Sequence, residues 1–95
     1  MSTSIAVAEL TFGLLLALAR EIPRADAGMK QGKWLKKELE GAELNGKTLG
    51  VIGFGRIGME LGKRAAAFGM SVVAYDPLIS EDEIAKRGAE PVSIQ

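Results

Sequence analysis

An α/β fold built on a parallel sheet is predicted for this 95-residue chain, and three observations predict it. An apolar run, Thr48 to Phe54, breaks into glycines; an amphipathic pattern follows from Arg56; a second apolar run, Met70 to Tyr75, closes the unit. Strand, helix and strand within so short a span make a βαβ unit, whose two strands must be parallel. Residues 47–95 are therefore read as one incomplete sheet unit, and residues 1–46 as a helix and connector leading into it.

The first element is a helix from Ile5 to Ile22, with Thr3 or Ser4 available as N-cap and Pro23 closing it. Apolar residues surround almost its whole circumference, so it is expected to be covered on most faces. A secretory signal would account for Ala17-Leu18-Ala19, but no lysine or arginine precedes the run and Glu9 interrupts it. A membrane span needs about 20 apolar residues, and Ile5 to Ala19 is shorter and carries that same carboxylate. A helix packed between two bodies of protein is the better reading. Gly13 and Ala17, one turn apart, offer a groove for close approach, and a partner subunit is expected there. With neither leader nor anchor, a cytoplasmic location is expected.

Pro23 can start a short helix through Lys30 that stops at Gly32. Lys30, Lys33, Lys36 and Lys37 then surround Trp34, but Glu38, Glu40 and Glu43 follow directly and cancel the field. The cluster reads as a solvated face, and Trp34 as an anchor pinning the connector rather than a base-stacking platform. Asn45-Gly46 is the strongest turn signal in the chain and hands over to the first strand. That strand is apolar on both faces, the kind a parallel sheet buries.

The next helix runs from about Arg56 to Phe68, with Ile57, Leu61, Ala65 and Phe68 on one stripe and Glu60, Lys63 and Arg64 on the other. Glu60 and Arg64 have the favourable i,i+4 spacing, and Gly69 stops the helix. After Tyr75 the strand ends at Asp76-Pro77. Ser80-Glu81-Asp82-Glu83 is a capping box, with Ile79 and Ile84 placed as its hydrophobic staple, opening a helix that ends at Gly88. Pro91 to Gln95 approaches a further element.

Composition narrows the function. Twelve basic residues balance 12 acidic ones, so no global field draws the chain to nucleic acid or anionic lipid. Cysteine and histidine are both absent, which excludes a disulfide framework, thiol chemistry, the usual zinc sites and the commonest general base. No metal ligands and no catalytic residues are assigned to the chain. A chain this short buries only about 60–65% of its unfolded surface, so a supporting partner would help it.

Chemistry concentrates in Gly53-Phe54-Gly55-Arg56-Ile57-Gly58, a GxGxxG loop between strand and helix. Gly53 permits the tight turn, Gly55 lets backbone approach a pyrophosphate, and Gly58 lets the helix pack near the strand. The N–H groups of Arg56 and Ile57 at the helix start, aided by the helix dipole and the Arg56 charge, can hold phosphate oxygens. On its own the pattern is weak, since the chain holds 12 glycines and a bare turn would look the same. Asp76, 18 residues after Gly58 at the end of the second strand, strengthens it, because a carboxylate there can accept bonds from ribose hydroxyls. A turn aspartate before Pro77 is the plain alternative. An anion in that place would repel the 2′-phosphate of NADP, so NAD is the expected cofactor. The fold is thus read as a partial Rossmann-type nucleotide-binding fold, its first βαβ unit preceded by a long apolar dimerisation helix.

Val7-Ala8-Glu9-Leu10, Gly32-Lys33-Trp34, Glu43 to Gly50 running into Gly53 to Gly58, Phe68-Gly69-Met70 and Tyr75-Asp76-Pro77, in that order, resemble the D-isomer-specific 2-hydroxyacid dehydrogenases. The likeness covers essentially the whole chain. It implies NAD, with Arg56 and Ile57 at the pyrophosphate and Asp76 at the ribose, and an oxidoreductase acting on a D-2-hydroxy acid. It also implies that the helix Ile5 to Ile22 serves a homodimer interface. Ala6 departs from the family, where a serine often caps that helix. In the family a substrate domain precedes this region, and a catalytic arginine, glutamate and histidine follow it. Those positions are expected outside this chain, in keeping with its lack of histidine. A non-enzymatic, NAD-responsive binding or dimerisation module of the same fold is the alternative, and a fragment without independent function a third possibility.

Overall fold

The computed structural model describes residues 3–34 and 41–93. Among these described residues four helices and three strands follow in the order α1 Ser4–Ala19, α2 Ile22–Lys30, β1 Thr48–Ile52, α3 Arg56–Ala67, β2 Ser71–Tyr75, α4 Glu81–Lys86 and β3 Glu90–Pro91. The strands form one sheet in the order β1-β2-β3, both pairings parallel, with Leu49 opposite Val72 and Val51 opposite Ala74. The βαβ reading therefore holds, and the segment entered at Pro91 proves to be a third strand already begun at Glu90.

The expected single helix to Ile22 ends earlier. Pro23 has no N–H to give the Ala19 carbonyl; that oxygen instead accepts from Ala42 N at 2.8 Å. Between the two helices Glu21 takes a left-handed conformation, φ 52°. Thr3 occupies the N-cap position of α1 but makes no side-chain cap bond. The Asn45-Gly46 turn forms, with Gly46 at φ 80° and Lys47 N bonded to Leu44 O. Ser80 caps α4 through its side chain, accepting from Glu83 N at 3.1 Å, and both staple residues join the core.

One core runs through the molecule: Phe12 of α1, Leu44, Phe54, Ala65 of α3, Val72 and Ala74 of β2, Ile84 of α4, and Ala89. α1 lies on α3, where the Phe12 and Phe68 rings meet edge to face with centroids 4.7 Å apart. Strand side chains alternate between faces. Leu49, Val51, Val72 and Ala74 turn to this core, whereas Ile52 on the opposite face is 80% exposed. The expectation that β1 is buried on both faces is corrected accordingly. β1 is an edge strand, and Thr48, Gly50 and Ile52 on its outer face are all exposed among the described residues.

Two further expectations, on α3 and at Trp34, are revised, and α1 leaves exposed the face expected to meet a partner. Among the described residues α1 buries only Ala8 and Phe12, leaving Leu10, Leu14 and Leu18 as an exposed stripe, because α3 covers one side of it. On α3 the fully buried positions are Gly58, Gly62 and Ala65; Ile57 and Phe68 remain partly exposed. Gly58 and Gly62 let α3 approach closely, so that its backbone joins Leu61 and Ala65 in the contact. Trp34 is 73% exposed among the described residues, rather than buried as an anchor. Lys36, Lys37, Glu38 and Glu40 of the charged cluster lie outside the described residues.

Candidate functional site

Parallel strands deliver their carboxyl ends to one side of the sheet, and the candidate residues gather there. Ile52 pairs with Tyr75, so the residues that follow, Gly53 and Asp76, leave adjacent strand ends together. Gly53 N still donates to Tyr75 O at 2.8 Å. The chain then turns through Gly53 at φ 89°, a left-handed conformation that favours glycine. Gly58 is required for a different reason: a β-carbon there would sit 2.5 Å from Gly53 O and 3.3 Å from the Val51 Cγ1. Gly55 is constrained by neither. It is the N-cap of α3 at φ −75°, with nothing within 4 Å of where a β-carbon would stand. A side chain would fill that open space, which is the space a phosphate needs above the backbone.

α3 begins at Arg56 with no side-chain cap. Its first-turn N–H groups, those of Arg56 and Ile57 included, have no carbonyl partner within the helix. They carry the positive end of the helix dipole. Gly53, Gly55, Arg56, Ile57 and Gly58 line an open depression of about 530 Å³ that also touches Val51, Ile52, Leu61 and Ser4.

Asp76 does not line that depression but braces the same loop. Its Oδ2 accepts from Phe54 N at 2.9 Å and its Oδ1 from Leu78 N at 2.8 Å. The Leu78 and Phe54 amides, with the Arg87 guanidinium nearby, hold the Asp76 carboxyl below the usual carboxylate range, against a smaller opposing effect of desolvation. Each oxygen keeps a lone-pair site for a further donor such as a sugar hydroxyl. The set fits a dinucleotide: exposed donors for its phosphates, a glycine that leaves room, and an ionised acceptor at the neighbouring strand end.

Two functional groups escaped the sequence reading. Phe54, 1% exposed, is the buried keel of the loop, its ring packed against the α-carbon side of Gly62. Arg87 reaches across from the end of α4 to donate to Phe54 O at 2.8 Å, while its Nε donates to Glu83 Oε1 at 3.1 Å. The i,i+4 spacing of Glu83 and Arg87 was visible; the target of Arg87, 33 positions away, carried no signal.

The NAD-binding-domain model of the D-isomer specific 2-hydroxyacid dehydrogenases matches residues 12–95. The chain belongs to this family. It is 55% identical over 91 residues to D-3-phosphoglycerate dehydrogenase of Methanocaldococcus jannaschii, covering 96% of this chain and 17% of that protein. It is 60% identical over 78 residues to hydroxypyruvate reductase of Thermotoga maritima, covering 82% of this chain and 26% of that protein. Among solved structures, D-lactate dehydrogenase from Aquifex aeolicus complexed with NAD and lactic acid superposes with TM-score 0.81 at 36% identity, over 92% of this chain and 26% of that one. The 2-hydroxyacid dehydrogenase segment seen here thus spans a sixth to a quarter of such relatives, and NAD is the cofactor of its domain. Among the described residues no helix is long and apolar enough to cross a membrane.

Proposed function

We propose that Gly53, Gly55, Arg56, Ile57 and Gly58 hold the pyrophosphate of NAD and that Asp76 accepts the adenosine ribose hydroxyls. The observation that carries this reading is the bond from Phe54 N to Asp76 Oδ2, which sets the glycine loop and the carboxylate side by side at adjacent strand ends. The N–H groups of Arg56 and Ile57 face the phosphate oxygens, and the Arg56 side chain adds a cation. Asp76, ionised well below neutral pH, repels a 2′-phosphate and so selects NAD over NADP.

The parent protein oxidises a D-2-hydroxy acid, with 3-phospho-D-glycerate to 3-phosphohydroxypyruvate, a step of serine synthesis, as the favoured reaction. Support comes from the relatives named D-3-phosphoglycerate dehydrogenase, at 48–55% identity across nearly the whole chain. Bound NAD supplies the hydride acceptor. The residues of this chain bind and orient it, and no catalytic group is assigned to them. Residues 1–46 form an interface helix and connector, residues 47–95 the nucleotide unit, in a cytoplasmic homodimer joined through the helix Ile5 to Ile22. The exposed Leu10, Leu14 and Leu18 stripe is the surface that such a partner would cover.

Calorimetric titration of the chain with NADH and NADPH tests the cofactor assignment. NADH should bind at least about tenfold more tightly, and Asp76→Ala should weaken NADH and narrow the difference. Equal affinities in the unaltered chain would overturn the ribose assignment.

A further inference from the structure

Phe54 sits in the middle of the glycine loop, and both of its backbone polar groups are held from outside the loop. Its N–H donates to Asp76 Oδ2 at 2.9 Å and its carbonyl accepts from Arg87 Nη1 at 2.8 Å. A peptide unit is planar, joining the C=O of one residue rigidly to the N–H of the next. Asp76 therefore fixes the Gly53–Phe54 plane, and Arg87 fixes the Phe54–Gly55 plane. In a trans peptide the two groups point opposite ways. With the Phe54 carbonyl drawn toward Arg87, the Gly55 N–H is turned away from that side, and Gly55 is itself among the residues that line the depression.

Little else chooses that orientation. Turning the Phe54–Gly55 plane over would carry Gly55 from φ −75° to the positive side, which glycine enters without steric penalty. Gly55 has no side chain of its own to resist the turn, and no atom outside its chain neighbours lies within 4 Å of its β-carbon position. The Phe54 ring can stay buried throughout, because the flip rotates only the backbone bonds flanking that plane. Arg87 is itself aimed: Glu83, one turn earlier on α4, holds its Nε at 3.1 Å, and Ser80 caps that helix.

We propose that Arg87 is a positioning residue that locks the Phe54–Gly55 peptide in the orientation presenting the Gly55 N–H to the phosphates of the dinucleotide. Arg87 touches no cofactor atom. The choice of ligand rests on the NAD reading above; the lock itself is a property of the ligand-free chain.

Amide NMR of the 15N-labelled chain, combined with NADH fluorescence titration, tests it. In Arg87→Met the amide signals of residues 53–57 should double or broaden while those of β2 keep their shifts. NADH affinity should fall about tenfold, the value of one charge-assisted hydrogen bond. Adding Gly55→Ala to Arg87→Met should restore a single set of loop signals, because alanine is disfavoured at positive φ. Should Arg87→Met fail to fold, Glu83→Gln, which leaves the guanidinium but loosens its aim, should broaden the same amides to a smaller extent. Loop signals unchanged in the variant, or changes spread evenly through β2 and α3, would overturn the lock. A split loop in Arg87→Met alongside an unaltered chain that ignores NADH would support the lock and sink the NAD reading. An unsplit loop with undiminished NADH binding would do the reverse.

Discussion

Phe54 and Leu14 are both large apolar residues at the middle of their elements, yet Phe54 is 1% exposed and Leu14 58%. Around Phe54 every neighbour comes from this chain: the Gly62 backbone against the ring, Asp76 on the N–H, Arg87 on the carbonyl. Around α1 the described residues supply α3 along one side and leave the Leu14 face exposed. The glycine loop is thus packed by its own sequence, whereas α1 presents an apolar face that the described residues leave exposed. Single substitutions should accordingly act on folding and cofactor binding at the loop, and on association at α1.

The severest test of the loop half of that contrast is Gly58→Ala. The added methyl group would stand 2.5 Å from Gly53 O, a backbone atom that cannot step aside without moving the end of β1. A loss of about 1–3 kcal/mol in urea unfolding is expected, in the range of overpacked sites that force backbone shifts. A neutral result would mean that α3 is not seated against the strand as tightly as the contact requires.

Leu14→Glu addresses the other half. Leu14 is exposed within the chain, so the monomer should keep its unfolding behaviour, while a carboxylate at the centre of an apolar interface should raise the dimer dissociation constant by roughly 100-fold. Light scattering over a range of concentrations reads the change. If the unaltered chain is monomeric throughout, the face is not a homodimer surface and the contrast with the loop loses its meaning.

Where the sequence could be read depended on how local the physics is. The βαβ unit, the Asn45-Gly46 turn and the Ser80 cap are each decided by residues within a few positions of one another, and each formed as expected. The break at Glu21 follows from Pro23 but depends on Ala42, far along the chain, to satisfy the Ala19 carbonyl. The exposure of β1 is a matter of what packs on its outer face, which an apolar run cannot report. At the site the glycines and Asp76 were visible because their spacing is set by the βαβ geometry. The hold of Arg87 on Phe54 was not, because nothing about an arginine at a helix end indicates which distant carbonyl it meets.

Asp76 allows a smaller and more graded test of the loop. Its carboxyl is held below the ordinary value of 3.8 by the Leu78 and Phe54 amides. Because the folded value is the lower one, the folded chain binds fewer protons than the unfolded chain as pH drops. The contribution of Asp76 is therefore complete above the ordinary value and is lost as pH falls through the folded one. Loop order, followed by the Phe54 and Leu78 amide shifts, should stay constant from pH 7 to about 5 and change only in the acid range. Asp76→Asn should abolish that acid transition. A transition persisting in Asp76→Asn would assign it to another carboxylate.

The smallest effect is expected at Trp34, and there the smallness is informative. A tryptophan is usually among the costliest residues to truncate, at about 3–5 kcal/mol when buried. Trp34 is 73% exposed, beside a helix that buries only Gly28. Trp34→Ala should therefore shift stability by no more than about 0.5 kcal/mol, as at ordinary surface positions. Trp34 is also the single tryptophan of the chain, so its emission should lie at the long wavelengths of a solvated indole under conditions where the chain is monomeric. A blue shift on association, with Trp34→Ala weakening the dimer but not the monomer fold, would extend the partner-dependent surface from α1 past α2. An equal loss of stability in monomer and dimer would instead place Trp34 with Phe54, among the residues that the chain packs for itself.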